Sequence, residues 1–267
     1  MSHDRATTDN SLIRRLAAGE TALCMAIRIS RLPRIVHLAR AAGFDAIYVD
    51  MEHSTIALET TAELCLASWS IGLPALVRVP THDPNLISRV LEGGAAGIIA
   101  PHVDTAAQAL AVVSAARFRP LGHRAMAGAG VAIGYAPIPP AEAEELLGNR
   151  TMVVAMVESA EAIANADAIA AVRGVDMLLV GTGDLTEELG IPGKTDHPKV
   201  LEAYERAAAA CRRNGKWLGI AGIKGESPML PQLYRLGARF LSTRNDEALL
   251  LKAARDETRT LRQLFAG

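Results

Sequence analysis

Short apolar runs recur along the chain, and each is followed by a longer segment with the capping and stop signals of a helix. The runs occupy residues 21–27, 45–49, 75–79, 97–100, 152–157, 177–180, 217–220 and 239–242. They are continuous rather than alternating, which predicts strands buried on both faces, as in a parallel sheet. Predicted helices cover residues 11–18, 33–42, 58–70, 84–92, 106–116, 141–147, 198–214 and 247–265, with others starting near 160 and 227 and one ending at 188.

The order of these elements predicts an α/β protein with a (β/α)8 TIM barrel. Eight strand–helix units in about 250 residues fit a closed barrel. The alternative is an open doubly wound sheet, but no G-x-G-x-x-G sequence follows the first apolar run. No linker divides the chain, so residues 1–267 are predicted to form one domain, with residues 1–19 as an N-terminal extension and helix.

The regular alternation stops between residues 118 and 140, where the chain is rich in Gly and Pro. Connections of this length are uncommon in compact domains and are often functional. We expect this segment to lie over a site or a neighbouring subunit and to take part in selecting the substrate.

Composition excludes several classes of partner. Half of the residues are hydrophobic and the formal net charge is −1, with no basic block, which argues against nucleic acid and against an anionic membrane surface. No apolar run reaches the length of a membrane span, and the N-terminus does not resemble a secretory signal. The three cysteines, Cys24, Cys65 and Cys211, are far apart, as expected of reduced thiols in a cytoplasmic protein.

Two consecutive strands of the second half end at or near a carboxylate. Glu158 follows the run 152–157, and Asp184 follows the run 177–180 after the turn Gly181-Thr182-Gly183. Both would face the same opening of a barrel, where oxygen ligands suit Mg²⁺ or Mn²⁺. The alternative is that each acid only caps the helix that follows it.

Other polar residues also sit at strand ends. Arg78 lies within an apolar run, so its charge needs an anion, either a protein carboxylate or a substrate. In Asp50-x-x-His53 the carboxylate is placed to orient the imidazole as a general base, although a structural histidine is the commoner case. The backbone of Thr182 and Gly183 is a candidate for binding a small carboxylate; a plain turn is the alternative.

The lysines favour a metal over a Schiff base. A Schiff-base lysine needs burial or a neighbouring cation that lowers its pKa. None of the five lies inside an apolar run: they are Lys194, Lys199, Lys216, Lys224 and Lys252.

Taken together, six short motifs resemble the class II pyruvate aldolases of the HpcH/HpaI family, over roughly residues 20–265. They are Phe44-Asp-Ala-Ile-Tyr-Val-Asp50-x-Glu-His53, Val77-Arg78-Val-Pro, Gly94-Ala-Ala-Gly-Ile-Ile-x-Pro101-His-Val, Pro120-x-Gly-x-Arg124, Val157-Glu158-Ser and Gly181-x-x-Asp184-Leu.

The resemblance implies a barrel with a divalent cation (Mg²⁺, Mn²⁺ or Co²⁺) held by Glu158 and Asp184. Pyruvate would chelate it, Arg78 would stabilise the enolate oxygen, and His53 with Asp50 would transfer protons. The implied reaction is reversible aldol cleavage of a 4-hydroxy-2-oxo acid to pyruvate and an aldehyde. The implied assembly is a homo-hexamer, a trimer of dimers, whose last helix is exchanged between subunits.

The chain departs from better-known members of that family in three places. Met156 replaces a Gln two residues before the metal-binding Glu, which puts the substrate in doubt because a thioether forms no strong hydrogen bond. Gly181-Thr182-Gly183-Asp184 replaces Gly-Pro-Ala-Asp, and the usual Trp of the first strand is missing, with Met25 the best candidate for its place. The alternatives are a citryl- or malyl-thioester lyase and a barrel that binds a keto acid without turnover.

Overall fold

The computed structural model describes residues 10–126, 130–135 and 137–265. Eight parallel strands close into a barrel in sequence order, so the predicted (β/α)8 architecture is confirmed. The strands are β1 (Ala22–Ile27), β2 (Ala46–Asp50), β3 (Ala75–Arg78), β4 (Gly97–Ala100), β5 (Met152–Val157), β6 (Met177–Gly181), β7 (Trp217–Ala221) and β8 (Ala238–Ser242). Each agrees with its predicted apolar run to within one residue at either end.

Helices surround the barrel, and the capping signals in the sequence mark several of their ends. They are α1 (Ser11–Ala17), α2 (Arg34–Ala41), α3 (Leu58–Ser70), α4 (Pro84–Glu92), α5 (Ala106–Ala116), α6 (Pro140–Arg150), α7 (Ala160–Ala164), α8 (Ala166–Ala171), α9 (Thr182–Glu188), α10 (Pro198–Asn214), α11 (Leu230–Arg235) and α12 (Asp246–Leu264). The Thr105 side chain accepts from the backbone N–H of Gln108 as a capping box, as predicted. No described helix is both long and apolar enough to cross a membrane.

The core has two layers, because successive side chains of a strand point to opposite faces. One cluster fills the barrel and includes Ala26, Tyr48 and Met156; a larger one lies between the strands and the helices and includes Met25. Met25 therefore faces the helices rather than the barrel interior. It does not occupy a position from which a Trp on β1 would reach the site.

The helix α1 closes the amino-terminal end of the barrel. Leu12 and Leu16 are buried against the interior cluster. The Asn10 amide donates to the carbonyl of Arg150 at 2.8 Å, while its carbonyl caps α1. This plug leaves the carboxyl-terminal mouth as the open end, which is where (β/α)8 enzymes place their chemistry.

The described part of the segment 118–140 packs at the opposite end from that mouth. Phe118 and Ile133 form a small cluster with α6, and Val131 lies beside Gly94, just before β4. A cavity of about 400 Å³ lies at this amino-terminal end, lined in part by Arg124, Trp69 and Asn10. Within one chain, the described part of the segment therefore does not cover the mouth. The expectation that it lies over this chain's own site is wrong, because a connection from helix to strand returns to the strand's amino end.

The helix α12 extends along the surface with its apolar residues exposed. Leu250, Leu264 and Phe265 are 63%, 70% and 82% exposed. Among its apolar side chains, Leu249 at the start packs against the core. The length of the helix is as predicted; exchange between subunits stays a prediction.

Candidate active site

Charged residues from four strands, β2, β3, β5 and β6, lie at the carboxyl-terminal mouth. Asp50 is the last residue of β2 and Arg78 the last residue of β3, and the two are direct cross-strand partners. Glu158 follows β5, and Asp184 lies in the first turn of α9, directly after β6. Except for Asp184, these side chains continue inward-facing rows of the barrel, so they point into the mouth.

Asp50 joins two arginines. Its Oδ1 accepts from Arg78 Nε at 2.9 Å and its Oδ2 from Arg78 Nη2 at 2.6 Å. Arg28, which follows β1, donates its Nε to the same Oδ2 at 2.7 Å. Asp50 is fully buried and Arg78 is 3% exposed. One carboxylate therefore fixes one arginine in a two-point geometry and anchors a second.

Electrostatics keep this group charged. Burial alone would raise the pKa of Asp50, but the hydrogen bonds and positive charge of Arg78, with help from Arg28, lower it below its ordinary value. Burial lowers the pKa of Arg78, and Asp50, together with Tyr48 and Glu52, more than compensates and raises it. The Arg78 guanidinium also lies 5.9 Å from the centroid of the Tyr48 ring. Both shifts favour the ionised forms of Asp50 and Arg78.

Glu52 links Arg78 to the other side of the mouth, and sequence reasoning did not single it out. Its Oε2 lies 2.9 Å from Arg78 Nη1 as an ion pair without hydrogen-bond geometry. Its Oε1 lies 3.1 Å from His102 Nε2. The sequence signal was its place within Asp50-x-Glu-His53, directly after a strand.

Glu158 is buried with one oxygen unused. Its Oε1 accepts from the backbone N–H of His102 at 2.8 Å and lies 3.1 Å from His102 Nδ1. Its Oε2 is buried and has no partner among the described residues. Burial raises the pKa of Glu158 to about 7; the charges of Asp184 and Glu52 add to this effect, and His102 opposes it.

These features fit a divalent cation. A buried carboxylate oxygen without a partner is costly, and a second carboxylate nearby worsens the cost unless a cation joins them. Gly181 leaves room here, since a Cβ at this position would lie 2.4 Å from Glu158 Oε2. Oxygen donors of this kind suit Mg²⁺ or Mn²⁺. The described residues contain no cluster of three or more His, Cys, Asp or Glu side chains arranged for a metal, so substrate or water would complete the coordination.

The contact expected between Asp50 and the His53 imidazole is not present. Asp50 Oδ1 accepts from the backbone N–H of His53 at 3.1 Å instead. Both oxygens of Asp50 also accept from arginine side chains. The His53 ring is about half exposed, and its Nε2 lies 3.8 Å from Glu52 Oε2. Glu52, rather than Asp50, is therefore the carboxylate beside this imidazole. A role for His53 in proton transfer stays a prediction.

The three residues predicted to contact substrate lie in different settings. Met156 is buried inside the barrel, with its sulfur 3.9 Å from Arg78 Nη1. Thr182 is buried, and its hydroxyl shares a hydrogen bond of 2.8 Å with Tyr204. Gly183 is exposed at the start of α9. The Thr182 hydroxyl is thus used within the protein, while Met156 borders Arg78 and, next to Gly181, the region of Glu158.

A second unpredicted residue, Asp246, organises the loop after β1. Its carboxylate accepts from the backbone N–H groups of Arg28 at 2.8 Å, Ile29 at 3.3 Å and Ser30 at 2.8 Å. Asp246 is 6% exposed although it begins the exposed helix α12. The two partners are more than 200 residues apart in sequence, so no local pattern indicated this contact.

Comparison with known proteins gives consistent matches along most of the chain. The family model described as HpcH/HpaI aldolase/citrate lyase matches residues 29–225. A 4-hydroxy-4-methyl-2-oxoglutarate aldolase (tasA) of Hapsidospora irregularis is 39% identical over 249 residues, covering 92% of each protein. A 4-hydroxy-2-oxovalerate aldolase of Novosphingobium aromaticivorans is 33% identical, covering 88% of each. The crystal structure of an HpcH/HpaI aldolase from Desulfitobacterium hafniense DCB-2 superposes with a TM-score of 0.89 at 30% identity, covering 94% of this chain and 96% of that one.

Proposed function

The chain belongs to the HpcH/HpaI aldolase/citrate lyase family, and on that premise we propose that it is a lyase that depends on a divalent metal. It cleaves a 4-hydroxy-2-oxo acid reversibly to pyruvate and a carbonyl compound. The names of both relatives described above support an aldolase. The observation that carries the proposal is the buried oxygen of Glu158, which has no partner among the described residues and lies near Asp184, two strands from Arg78.

Glu158 and Asp184 are the residues that would hold the cation. When bound, the cation supplies a Lewis acid that stabilises the negative charge of a pyruvate enolate. Glu158 must be ionised to bind a metal, so the cation also stabilises the charged form of a carboxylate that burial otherwise disfavours.

Arg78 contributes a fixed positive charge beside the reacting carbons. Asp50 accepts from Arg78 Nε and from one N–H of Nη2, which leaves the second N–H of Nη2 for a substrate oxygen. Nη1 is already paired with Glu52 Oε2 at 2.9 Å, and it would share its N–H groups between Glu52 and substrate. A rigidly held donor in a water-poor site stabilises developing negative charge without reorganising during the reaction. The two-point contact with Asp50 therefore orients the arginine for catalysis.

Cleavage also needs a base and an acid. A base removes the proton of the C4 hydroxyl, the C3–C4 bond breaks, its electron pair becomes the enolate, and C4 becomes a carbonyl. Protonation of the enolate at C3 then gives pyruvate. His53 is our candidate for these transfers, because its imidazole is half exposed at the mouth beside Glu52.

The exposed apolar face of α12 supports an oligomer. Its last two turns present Leu261, Leu264 and Phe265 to solvent in a single chain, and a patch of this kind is typical of an interface. We propose that this face packs on another subunit of the same protein.

Cleavage of 4-hydroxy-2-oxopentanoate, followed by reduction of the released pyruvate with lactate dehydrogenase, tests the proposal. The protein with Mg²⁺ or Mn²⁺ should release pyruvate, and Glu158→Gln should lower kcat/KM by at least about 10²-fold. Glu161→Gln, an exposed acid three residues later, is the matched control and should have normal activity. Failure of the wild-type protein to release pyruvate from any 4-hydroxy-2-oxo acid would contradict the proposal.

A further inference from the structure

Arg28 is a second arginine at the mouth, and it has no role in the mechanism proposed above. It continues the inward-facing row of β1, in which Cys24 and Ala26 lie inside the barrel. Its backbone is fixed by Asp246, which accepts from three consecutive N–H groups of the loop that begins with Arg28. A rigid backbone makes this side chain suitable for recognition, because little entropy is lost on binding.

The Arg28 side chain is anchored at one point and open at the other end. Its Nε donates to Asp50 at 2.7 Å, and its side chain is 30% exposed, against 4% for Arg78. Within the described residues, neither Nη group of Arg28 has a hydrogen-bond partner, and neither is buried without one. Four N–H donors of Arg28 are therefore available to a ligand. A planar fork of this kind matches a carboxylate.

The barrel topology places Arg28 opposite the metal ligand of β5. In a closed ring of eight strands in sequence order, β1 lies across from β5, and β3 lies halfway between them. Glu158 follows β5, Arg78 ends β3, and Arg28 follows β1. A substrate whose oxo-acid end lies at Glu158 and Asp184 and whose C2 oxygen faces Arg78 directs its far end toward Arg28.

We propose that Arg28 is a specificity-determining residue that binds the distal carboxylate of a 4-hydroxy-2-oxo dicarboxylic acid, the class of substrate named for the Hapsidospora irregularis relative, and so sets the preference for that class. This inference rests on the proposed function and names a residue that selects its substrate. The second carboxylate is a spectator: the C3–C4 bond breaks as described above, and the charged group leaves on the carbonyl fragment. The released fragment is then an oxo acid rather than an uncharged aldehyde.

The competing role of Arg28 is purely structural, as a counter-ion of Asp50. A loss of that role would disturb Asp50 and Arg78 and would affect every substrate alike. A loss of carboxylate recognition would affect only substrates with a distal carboxylate. The ratio of two kcat/KM values separates these roles, because a common loss cancels in it.

The experiment compares 4-hydroxy-2-oxopentanedioate with 4-hydroxy-2-oxopentanoate, in which a methyl group replaces the distal carboxylate. Both are assayed with the Mn²⁺-loaded wild-type protein and with Arg28→Met, which keeps much of the side chain's length without its charge. The wild type should prefer the dicarboxylate, and Arg28→Met should reduce that preference by about 10- to 100-fold, the effect of one charged hydrogen-bonded contact. Arg31→Met is the matched control, since Arg31 spends its donors on Ile29 and Thr55 and should not affect the preference.

A wild-type enzyme that favours 4-hydroxy-2-oxopentanoate would overturn the inference. An Arg28→Met variant whose kcat/KM falls by the same factor for both substrates would overturn it too. Either result leaves the aldolase function standing, since pyruvate is still released. Absence of cleavage with both substrates would instead overturn the proposed function and this inference with it.

Discussion

Asp50 and Arg78 are neighbours across β2 and β3, and they meet through two parallel hydrogen bonds of 2.9 and 2.6 Å at the mouth of the barrel. Both side chains are buried. Cross-strand register brings them together, and the planar carboxylate and guanidinium fix each other's orientation. Arg28 shares the carboxylate, so two positive charges depend on one buried acid.

Asp50→Asn should therefore destabilise the protein. An amide keeps one acceptor but removes the negative charge that Arg28 and Arg78 share, so that Arg78 retains only Glu52. Breaking a buried pair costs about 3–5 kcal/mol. Urea unfolding measures the loss. Asp167→Asn is the control, because the ion pair of Asp167 with Arg213 is exposed and should contribute under about 1 kcal/mol. Equal midpoints for Asp50→Asn and wild type would show that the pair contributes little to the fold.

Met156→Gln should alter metal affinity or substrate preference. The sulfur lies 3.9 Å from Arg78 Nη1, so an amide oxygen here would accept from Arg78 and its N–H groups would face the region of Glu158. Calorimetric titration with Mn²⁺ and kcat/KM for two 4-hydroxy-2-oxo acids measure the change. Met156→Leu, which adds no polar atom, is the matched control. Identical behaviour of the Gln and Leu variants would place this side chain outside the site's chemistry.

Stability of the metal-free protein should fall as the pH rises from about 4.5 to about 7. The pKa of Glu158 is raised to about 7 from an ordinary 4.5, so the unfolded chain releases this proton at lower pH than the folded one does. The stabilising contribution is complete below the unfolded pKa and is lost as the pH passes the folded pKa. It amounts to roughly 3 kcal/mol.

Thermal unfolding between pH 4.5 and 8 in the presence of a chelator measures this loss. Glu158→Gln should remove this part of the pH dependence, because a neutral amide does not titrate. Excess Mg²⁺ or Mn²⁺ should remove it by binding the ionised form. A Glu158→Gln variant that keeps the wild-type pH profile would assign the effect to other groups.

Removal of most of α12 should dissociate the protein. Truncation after Leu249 deletes the exposed apolar residues but keeps Asp246 and its contacts with the loop after β1. Light scattering should show the full-length protein as an oligomer larger than a dimer and the truncated protein as a smaller species or an aggregate. A full-length monomer at micromolar concentration would contradict the proposed interface.

The sequence was sufficient to predict the barrel because its strands are continuous apolar runs separated by clear helix signals. It also indicated Glu158, Asp184 and Arg78, since a charge at the end of a buried strand is rare and must face the mouth. The family resemblance drawn from these motifs is confirmed by the family match. Arg28 directly follows the first apolar run, so the same reasoning could have predicted that its side chain lies at the mouth.

The pairing of the charges could not be predicted. Asp50 is close in sequence to His53 and far from Arg78, yet the strand register places its side chain beside the arginine. Asp246 reaches the loop after β1 from the other end of the chain. The expectation that segment 118–140 lies over this chain's own site failed for a different reason. It was based on composition, whereas the position of the segment between a helix and the next strand assigns its described part to the amino-terminal end. A contact with a neighbouring subunit stays a prediction.

The exchange of pyruvate methyl protons in D₂O is the sharpest test of metal-dependent enolate formation, because it does not depend on the choice of second substrate. The wild-type protein should exchange these protons, a chelator should abolish the exchange, and Mg²⁺, Mn²⁺ or Co²⁺ should restore it. Borohydride added with pyruvate should leave the protein unmodified. Exchange that survives chelation, together with pyruvate trapped on a lysine by borohydride, would contradict a metal-dependent mechanism and indicate a Schiff base.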